Sequence, residues 1–424
     1  MSDRRSFIRQ TALMLGAVAL HQQAADAFPI KSLPGKPNFT PGTPDEDFWR
    51  QIRQAYAASP TMINLNNGGV SPSPRATMDA LDYYNRMCNE APSYYMWRIL
   101  DQDREPLREN LADIAGVSSD EIAINRNATE SLNSIIFGLN LKAGDEVVLS
   151  KYDYPNMMNA WKQREKRDGI KLVWVEPELP SEDADYLTEI YASKFTAKTK
   201  LVHVTHIINW SGQILPVAKI ADRAHAQGIE VLVDGAHSFA LLDYKIPDLH
   251  CDYWGTSLHK FLCAPIGSGM LWIKKEKIPG VWPLLGNDKP DSDNIRKFET
   301  LGTRSFPIEM AIGYSVDLHK MIGGARKQER LHFLKNRWME QVRDVPGIKF
   351  YTSMKPEWGC AIGTFGFEGK KATEIAEKLY SRYKIHAVAI EWEKVNGVRV
   401  TPNVYTMPED VDKIARVIRV IAAE

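Results

Sequence analysis

The sequence has few cysteines and no excess of charge of either sign. Its 424 residues include only Cys88, Cys251, Cys263 and Cys360, which are widely spaced and form no C-x-x-C pair. This spacing argues against a disulfide framework. Lys plus Arg and Asp plus Glu both number 53, so no overall basic field attracts nucleic acid. We therefore expect a small-molecule substrate and no nucleic-acid partner.

A recognisable metal-ligand spacing is also missing. His250, Cys251, His259 and Cys263 fall in one stretch of the chain, but their spacing matches no familiar zinc pattern, and His259 stands next to a lysine. We predict no metal site.

The first 27 residues differ from the rest of the chain. An arginine pair, Arg4-Arg5, is followed by the apolar run from Thr11 to Leu20 and then by Ala25-Asp26-Ala27. This order is typical of a twin-arginine signal peptide, here cleaved after Ala27, and the apolar run is short for a membrane span. The alternative is an amphipathic N-terminal helix or an uncleaved anchor. We expect the twin-arginine machinery to export the folded protein to the periplasm or beyond.

The remaining chain divides by pattern into three parts. Residues 28–61 begin rich in Pro and Gly, which predicts an extended arm. In residues 62–310, short apolar runs alternate with polar helical stretches, which indicates an α/β domain with a mainly parallel sheet. Residues 311–424 combine a long helical stretch with short strands, and we expect a smaller α+β domain there.

Two apolar runs end in residues that can carry chemistry. The first ends in Asp234, and the second ends in Ser257, His259 and Lys260. Ligands of parallel sheets bind at the carboxyl ends of the strands, so these residues are expected to share one site. A lysine that forms a Schiff base and an acid that pairs with a pyridinium nitrogen are what pyridoxal phosphate requires of its protein. A serine hydrolase triad is disfavoured, because no turn of the G-x-S-x-G type presents Ser257.

The run Ser257-Leu258-His259-Lys260 resembles the S-x-H-K motif of the class V aminotransferases, and further motifs follow in the family's order over nearly the whole mature chain. The resemblance implies fold type I, with a large domain built on a mainly parallel sheet and a smaller C-terminal α+β domain. It implies pyridoxal 5'-phosphate as cofactor and Lys260 as the catalytic residue. It also implies a homodimer with shared active sites.

The resemblance assigns several residues to the cofactor phosphate. Asn127-Ala128-Thr129-Glu130 is similar to the family's phosphate turn, in which a helix N-terminus presents backbone N–H groups to an anion. By itself this turn is an ordinary helix cap. Ser257 and His259 would complete the cradle beside Lys260. Thr303 resembles a threonine that reaches the phosphate of the neighbouring subunit.

Three further residues are assigned to the cofactor ring. Tyr154 takes the position of an aromatic side chain that stacks on the pyridine, although a core tyrosine near a turn is an equal alternative. Asp234 would keep the pyridine nitrogen protonated. His237 would hydrogen-bond the 3-hydroxyl oxygen.

The substrate side is less specific. Arg399 matches a small-domain arginine that binds the α-carboxylate of an amino acid, which suits its planar fork; an exposed strand arginine is the alternative. Asn67 and His206 are expected near the substrate. Residues 380–398 contain no cysteine, which disfavours a cysteine desulfurase.

The motifs are most similar to the isopenicillin N epimerase branch, so we expect epimerisation at the α-carbon of an amino acid or a peptide. An aminotransferase, a C–S lyase and an oxidative deaminating enzyme of the pyoverdine-modifying type stay open. So does a protein of another class, an exported amino-acid- or peptide-binding protein without catalysis.

Overall fold

The computed structural model describes residues 45–424. The predicted signal peptide and the first half of the predicted arm lie outside the described residues, so both stay predictions. Among the described helices, none has the length and apolar character needed to cross a membrane.

A seven-stranded sheet in the order β2-β8-β7-β6-β5-β3-β4 forms the centre of the larger part. Its strands are β2 Ile122–Asn125, β3 Glu146–Ser150, β4 Lys171–Val175, β5 Thr199–Thr205, β6 Glu230–Asp234, β7 Tyr253–Ser257 and β8 Gly269–Ile273. Strands β3 to β7 pair in parallel, and β8 runs antiparallel to both β2 and β7. The mainly parallel sheet that the sequence predicts is confirmed.

The central strands are apolar at successive positions because both faces of the sheet are covered. Val231 and Val233 pack into one core cluster, whereas Leu232 between them packs into another. Such continuous apolar runs are typical of parallel strands buried between helical layers.

Helices and short helical turns connect and cover the strands. The helices are α1 Glu46–Gln54, α2 Arg75–Glu90, α3 Arg104–Ala115, α4 Ala128–Gly138, α5 Pro155–Asp168, α6 Ala184–Ala192, α7 Val217–His225, α8 Phe306–Ile322, α9 Gly324–Glu340, α10 Ala372–Tyr383 and α11 Pro408–Ala423. The shorter turns are Pro92–Tyr94, the π-helical Tyr95–Leu100, and the 3₁₀ segments Ser119–Glu121, Ile246–Leu249, Lys275–Gly280 and Ile295–Glu299.

A four-stranded antiparallel sheet in the order β12-β13-β10-β9 forms the C-terminal part. Its strands are β9 Ile348–Phe350, β10 Gly363–Phe367, β12 Val388–Trp392 and β13 Val395–Val400. Trp338 of α9, Phe365 of β10 and Ile414 of α11 share its core. The short strand β1 Ile63–Asn64 pairs in parallel with β11 Ile385–His386, which brings the start of the described chain onto this part.

Helix α8 spans the predicted domain boundary at residue 310. It packs against α2, where the hydroxyl groups of Thr77 and Ser315 lie 2.9 Å apart. The division of the chain into domains at this residue stays a prediction.

Candidate active site

The candidate site lies at the carboxyl ends of the central parallel strands. Tyr154 follows β3, His206 follows β5, Asp234 ends β6 and Ser257 ends β7. In open parallel sheets this is the edge at which ligands bind.

Lys260 lies in the turn after β7 and contacts the turn after β6. Its Nζ is 2.9 Å from Nε2 of His237. Burial, opposed by the charge of Asp234 and assisted by that of Arg399, lowers the pKa of Lys260 to about 8. The structure therefore brings Lys260, Asp234, His237 and Arg399 into one electrostatic cluster.

Asp234 and His237 are both buried beside this amine. Oδ1 of Asp234 accepts a hydrogen bond of 2.9 Å from the backbone N–H of Ala236. Burial raises the pKa of Asp234, whereas that hydrogen bond and Lys260 lower it. Burial and the charges of Lys260 and Arg399 hold the pKa of His237 well below its usual value, so its ring is neutral.

The predicted phosphate turn lies at the N-terminus of α4. Oδ1 of Asn127 caps this helix by accepting from the N–H of Glu130 at 2.9 Å. The N–H of Ala128 donates to Oγ of Ser257 at 2.9 Å, which joins the helix to the end of β7, and Thr129 lies half-buried in the first turn. Strand β8 approaches closely, because a Cβ at Gly269 would lie 2.5 Å from Cα of Asn127.

The other predicted cofactor residues differ in their placement. The ring of His259 makes a hydrogen bond of 3.1 Å through Nδ1 to the carbonyl of Ser268, which fixes the loop after Lys260. Tyr154 is exposed, and its charge interaction with Arg399 places the two side chains near each other. Thr303 is exposed in the loop before α8, so within its own chain it is outside the buried cluster.

Arg399 is buried on β13 and is held on two sides. Its Nη1 donates to the carbonyl of Asn209 at 3.0 Å, and its Nη2 donates to Oδ1 of Asn66 at 2.9 Å. Burial lowers the pKa of Arg399 to about 10, which leaves it charged at neutral pH. A fixed, buried guanidinium of this kind is suited to binding a carboxylate.

Asn67 does not fit the substrate role predicted for it. Its side chain is 0% exposed, donates to the carbonyl of Thr401 at 2.8 Å and accepts from the hydroxyl of Tyr405 at 2.6 Å. The side-chain amide of Asn67 is therefore hydrogen-bonded within the protein and does not face a substrate. The neighbouring Asn66 contacts Arg399 instead, since Asn66 bridges to Thr401 and the chain turns at Asn67.

His206 lies beside Asp234. Its backbone N–H donates to the carbonyl of Asp234 at 3.0 Å, and its ring makes an edge contact with Tyr244. Burial lowers the pKa of His206 to about 4, so its ring is neutral.

Three residues of the site were not predicted from the sequence: Asn66, Asn209 and Asp153. Asn209 contacts Arg399 through its backbone carbonyl, which no sequence pattern marks. Asp153 stands directly before Tyr154, and an acid beside a predicted cofactor residue is a signal that could have marked it.

The residues present fit pyridoxal phosphate. Nδ1 of His237, Oδ1 of Asn209 and Nε of Arg399 are buried without a hydrogen-bond partner among the described residues. Unpaired buried polar atoms cost free energy, so they indicate a polar ligand at this place. The amine of Lys260 suits an aldehyde, and the N-terminus of α4 suits a phosphate. Within residues 45–424, no three His, Cys, Asp or Glu side chains group together as metal ligands.

Comparisons with known proteins show the family to which the chain belongs. The family model described as Aminotransferase class-V matches residues 63–414. The chain is 27% identical over 394 residues to an isopenicillin N epimerase of Streptomyces clavuligerus, covering 89% of this chain and 99% of that protein. It is 28% identical over 338 residues to a probable cysteine desulfurase of Synechocystis sp., covering 74% of this chain and 78% of that protein.

A solved structure shares the fold. It is a mutant of the protein C-DES with glycine covalently linked to its pyridoxal phosphate cofactor, with a TM-score of 0.78 and 21% identity over 89% of this chain and 99% of that chain. It confirms the fold that the sequence predicts, and the family match confirms the predicted cofactor.

Proposed function

The chain belongs to the class-V aminotransferase family and is a pyridoxal phosphate-dependent enzyme, and we propose that it is an epimerase acting at the α-carbon of an amino acid or an amino-acid-containing peptide. The observation that carries the proposal is that Lys260 and Arg399 lie near each other. Lys260 is an amine of lowered pKa, and Arg399 is a buried guanidinium whose charge acts on it. When bound, pyridoxal phosphate supplies an electron sink for electrons released at the α-carbon.

Each side chain then has a defined task. Arg399 binds the substrate carboxylate, held in place by Asn209 and Asn66. Nζ of Lys260 takes the α-proton, and a pKa of about 8 suits this exchange near neutral pH. Asp234 would hold a proton at the ring nitrogen, and the neutral His237 would bind the 3-hydroxyl oxygen. Delivery of a proton from solvent water to the opposite face of the α-carbon, with Lys260 passing the proton it took to solvent, would complete the epimerisation.

The described cysteines support epimerisation over desulfuration. Cys360 is buried, and burial raises its pKa to about 12, so it is a poor nucleophile. The segment before Arg399 forms a tight antiparallel hairpin of β12 and β13, in which Trp392 pairs with Val395. This hairpin contains no cysteine and leaves no long loop to carry one to the substrate.

Incubation in heavy water tests the reaction. The enzyme is offered single-enantiomer amino acids and small peptides, and the products are analysed by chiral chromatography and mass spectrometry. We expect deuterium at the α-carbon together with the opposite enantiomer, and neither in a Lys260→Ala control. A keto acid, ammonia or oxygen consumption as the main outcome would instead support an aminotransferase, a lyase or an oxidative deaminating enzyme.

We propose further that the enzyme is a homodimer with shared active sites. Thr303 is exposed in its own chain, and so are the large apolar side chains Ile266 and Trp282, at 70% and 58%. Light scattering should give twice the monomer mass. Mixing inactive Lys260→Ala with a Thr303→Ala variant should form hybrid dimers in which one site regains both residues, whereas unshared sites would show no gain over the separate variants.

We also propose export by the twin-arginine route to the periplasm, on the order of residues at Arg4-Arg5 and after. Exchange of both arginines for lysine should retain the full-length protein in the cytoplasm. Equal export of the variant would contradict the route.

A further inference from the structure

A second buried carboxyl group lies behind Asp234. Asp153, at the end of the loop after β3, is 1% exposed. Its Oδ2 accepts from the backbone N–H of Ser150 at 2.7 Å, and its Oδ1 accepts from the hydroxyl of Thr205 at 2.7 Å. No ion pair of Asp153 with a Lys, Arg or His is formed within the described chain, which is unusual for a buried acid.

Strand pairing places this acid next to the cofactor site. Thr205 and Asp234 are direct partners in the parallel pairing of β5 and β6. The hydroxyl that binds Asp153 therefore belongs to the residue beside Asp234. The two carboxyl groups repel each other, and this repulsion adds to burial in raising the pKa of Asp153 to about 7.

The surroundings of Asp153 contain few other charges. Tyr191 of α6 packs against it, and Asp153 together with burial raises the pKa of that phenol, which is therefore neutral. Asp234 acts on it from the end of β6, and the charge of Lys260 in turn acts on Asp234. A cation placed on Asp234 relieves the repulsion between the carboxyl groups, so loading of a protonated pyridine ring favours the ionised form of Asp153.

From this placement we propose that Asp153 is a positioning residue of the enzyme, an additional buried carboxylate that reinforces Asp234 in holding a proton on the cofactor's ring nitrogen. The inference rests on the proposed function, because a protonated ring is what makes the cofactor an effective electron sink at the α-carbon. Asp153 acts through Asp234 and Thr205 and need not touch the substrate.

The test follows the ring nitrogen directly. Holoenzyme loaded with ¹⁵N-labelled pyridoxal phosphate is titrated from acid to alkaline pH, and the ¹⁵N chemical shift reports whether the ring is protonated. In Asp153→Asn, which keeps the shape and removes the charge, we expect the midpoint for loss of the ring proton to fall by about one pH unit or more relative to wild type. Asp153→Glu should restore most of the wild-type midpoint.

A second pair of variants covers the case in which Asp153→Asn does not fold. Thr205→Val removes the hydrogen bond that favours ionised Asp153 and should lower the midpoint in the same direction, whereas Thr205→Ser keeps the hydroxyl and should match wild type. A midpoint unchanged in Asp153→Asn, or in Thr205→Val where that variant alone folds, would show that Asp153 only supports the loop and would overturn the inference. Failure of wild type to take up the labelled cofactor would overturn the proposed function itself.

Discussion

Nζ of Lys260 lies 2.9 Å from Nε2 of His237, and the two residues belong to turns that follow the neighbouring parallel strands β7 and β6. Their contact is therefore set by the sheet and not by a mobile loop. Because β6 also ends in Asp234, the same pairing delivers the acid for the ring nitrogen and the amine for the aldehyde to one place.

Loading of the cofactor should depend on the protonation of Lys260. The pKa of this amine is lowered to about 8, and only the uncharged amine attacks an aldehyde. The second-order rate of loading into cofactor-free protein should rise roughly tenfold per pH unit below this value and level off above it. Stopped-flow absorbance measures the rate, and a flat profile from pH 6 to pH 9 would contradict the lowered pKa.

Removal of the charge at Arg399 should shift that profile. Arg399 lowers the pKa of Lys260, so Arg399→Gln should move the midpoint to higher pH and slow loading at neutral pH. Arg399→Lys retains a positive charge and serves as the matched control. Identical profiles for the Gln variant and wild type would mean that the two groups are farther apart than in this structure.

The same two variants should separate charge from geometry at the substrate carboxylate. A lysine cannot reproduce the planar fork that Asn209 and Asn66 hold in place. Arg399→Lys should therefore weaken amino-acid binding by about 1.5 to 3 kcal/mol, seen as a higher KM or as weaker spectral titration. Unaltered binding in both variants would remove Arg399 from the substrate site.

A methyl group at Gly269 should disturb the phosphate turn. A Cβ there would lie 2.5 Å from backbone atoms of Asn127, so Gly269→Ala must push α4 away from β8. We expect a loss of about 1 to 3 kcal/mol in the free energy of unfolding and weaker binding of the cofactor phosphate. Gly280→Ala, where no heavy atom lies within 4 Å, is the control and should behave as wild type in urea unfolding and in cofactor titration.

The buried carboxylate of Glu299 should be important for stability. It accepts from Arg104 at 2.6 Å and from the backbone N–H of Ile124 at 2.7 Å, and it pairs with the fully buried Arg108. Glu299→Gln removes the charge that the two arginines share and leaves Arg104 with Glu309 and Arg108 with the longer contact to Glu105. This loss should cost about 3 to 5 kcal/mol in the free energy of unfolding.

Glu276→Gln provides the comparison for that measurement, because Glu276 pairs with Lys274 at the exposed surface. We expect its effect on urea unfolding to stay below about 1 kcal/mol. Similar losses of unfolding free energy in both variants would contradict the burial of the ion pairs of Glu299.

The sequence predicts the parts of this site that depend on strand ends. Asp234 and Ser257 each close an apolar run, and the parallel sheet brings such ends together. The placement of Arg399 could be expected only from resemblance, and its partners could not be expected at all. Any residue at position 209 has a backbone carbonyl, so the sequence gives no sign of the hydrogen bond from Arg399 to Asn209.

Asn66 and Asn67 show a second limit. The two asparagines are neighbours in the sequence. The path of the backbone decides that Asn66 contacts Arg399 and that Asn67 is hydrogen-bonded to the carbonyl of Thr401. The chain pairs with Thr401 at Asn66 and turns at Asn67, so the two side chains make different contacts. The pairing of Asn66 with Thr401 that fixes this path joins segments more than 300 residues apart in the chain, and local patterns do not encode it.

The central claim is that Lys260 is the residue that holds the cofactor covalently and exchanges the α-proton. Borohydride reduction of the loaded enzyme, followed by proteolysis and mass mapping, measures this most directly. This role of Lys260 predicts that the reduced cofactor is found on the peptide containing Lys260 and that Lys260→Ala carries none while remaining folded. The exposed control Lys219→Ala should be labelled as wild type. Labelling of another lysine, or undiminished labelling of Lys260→Ala, would contradict it.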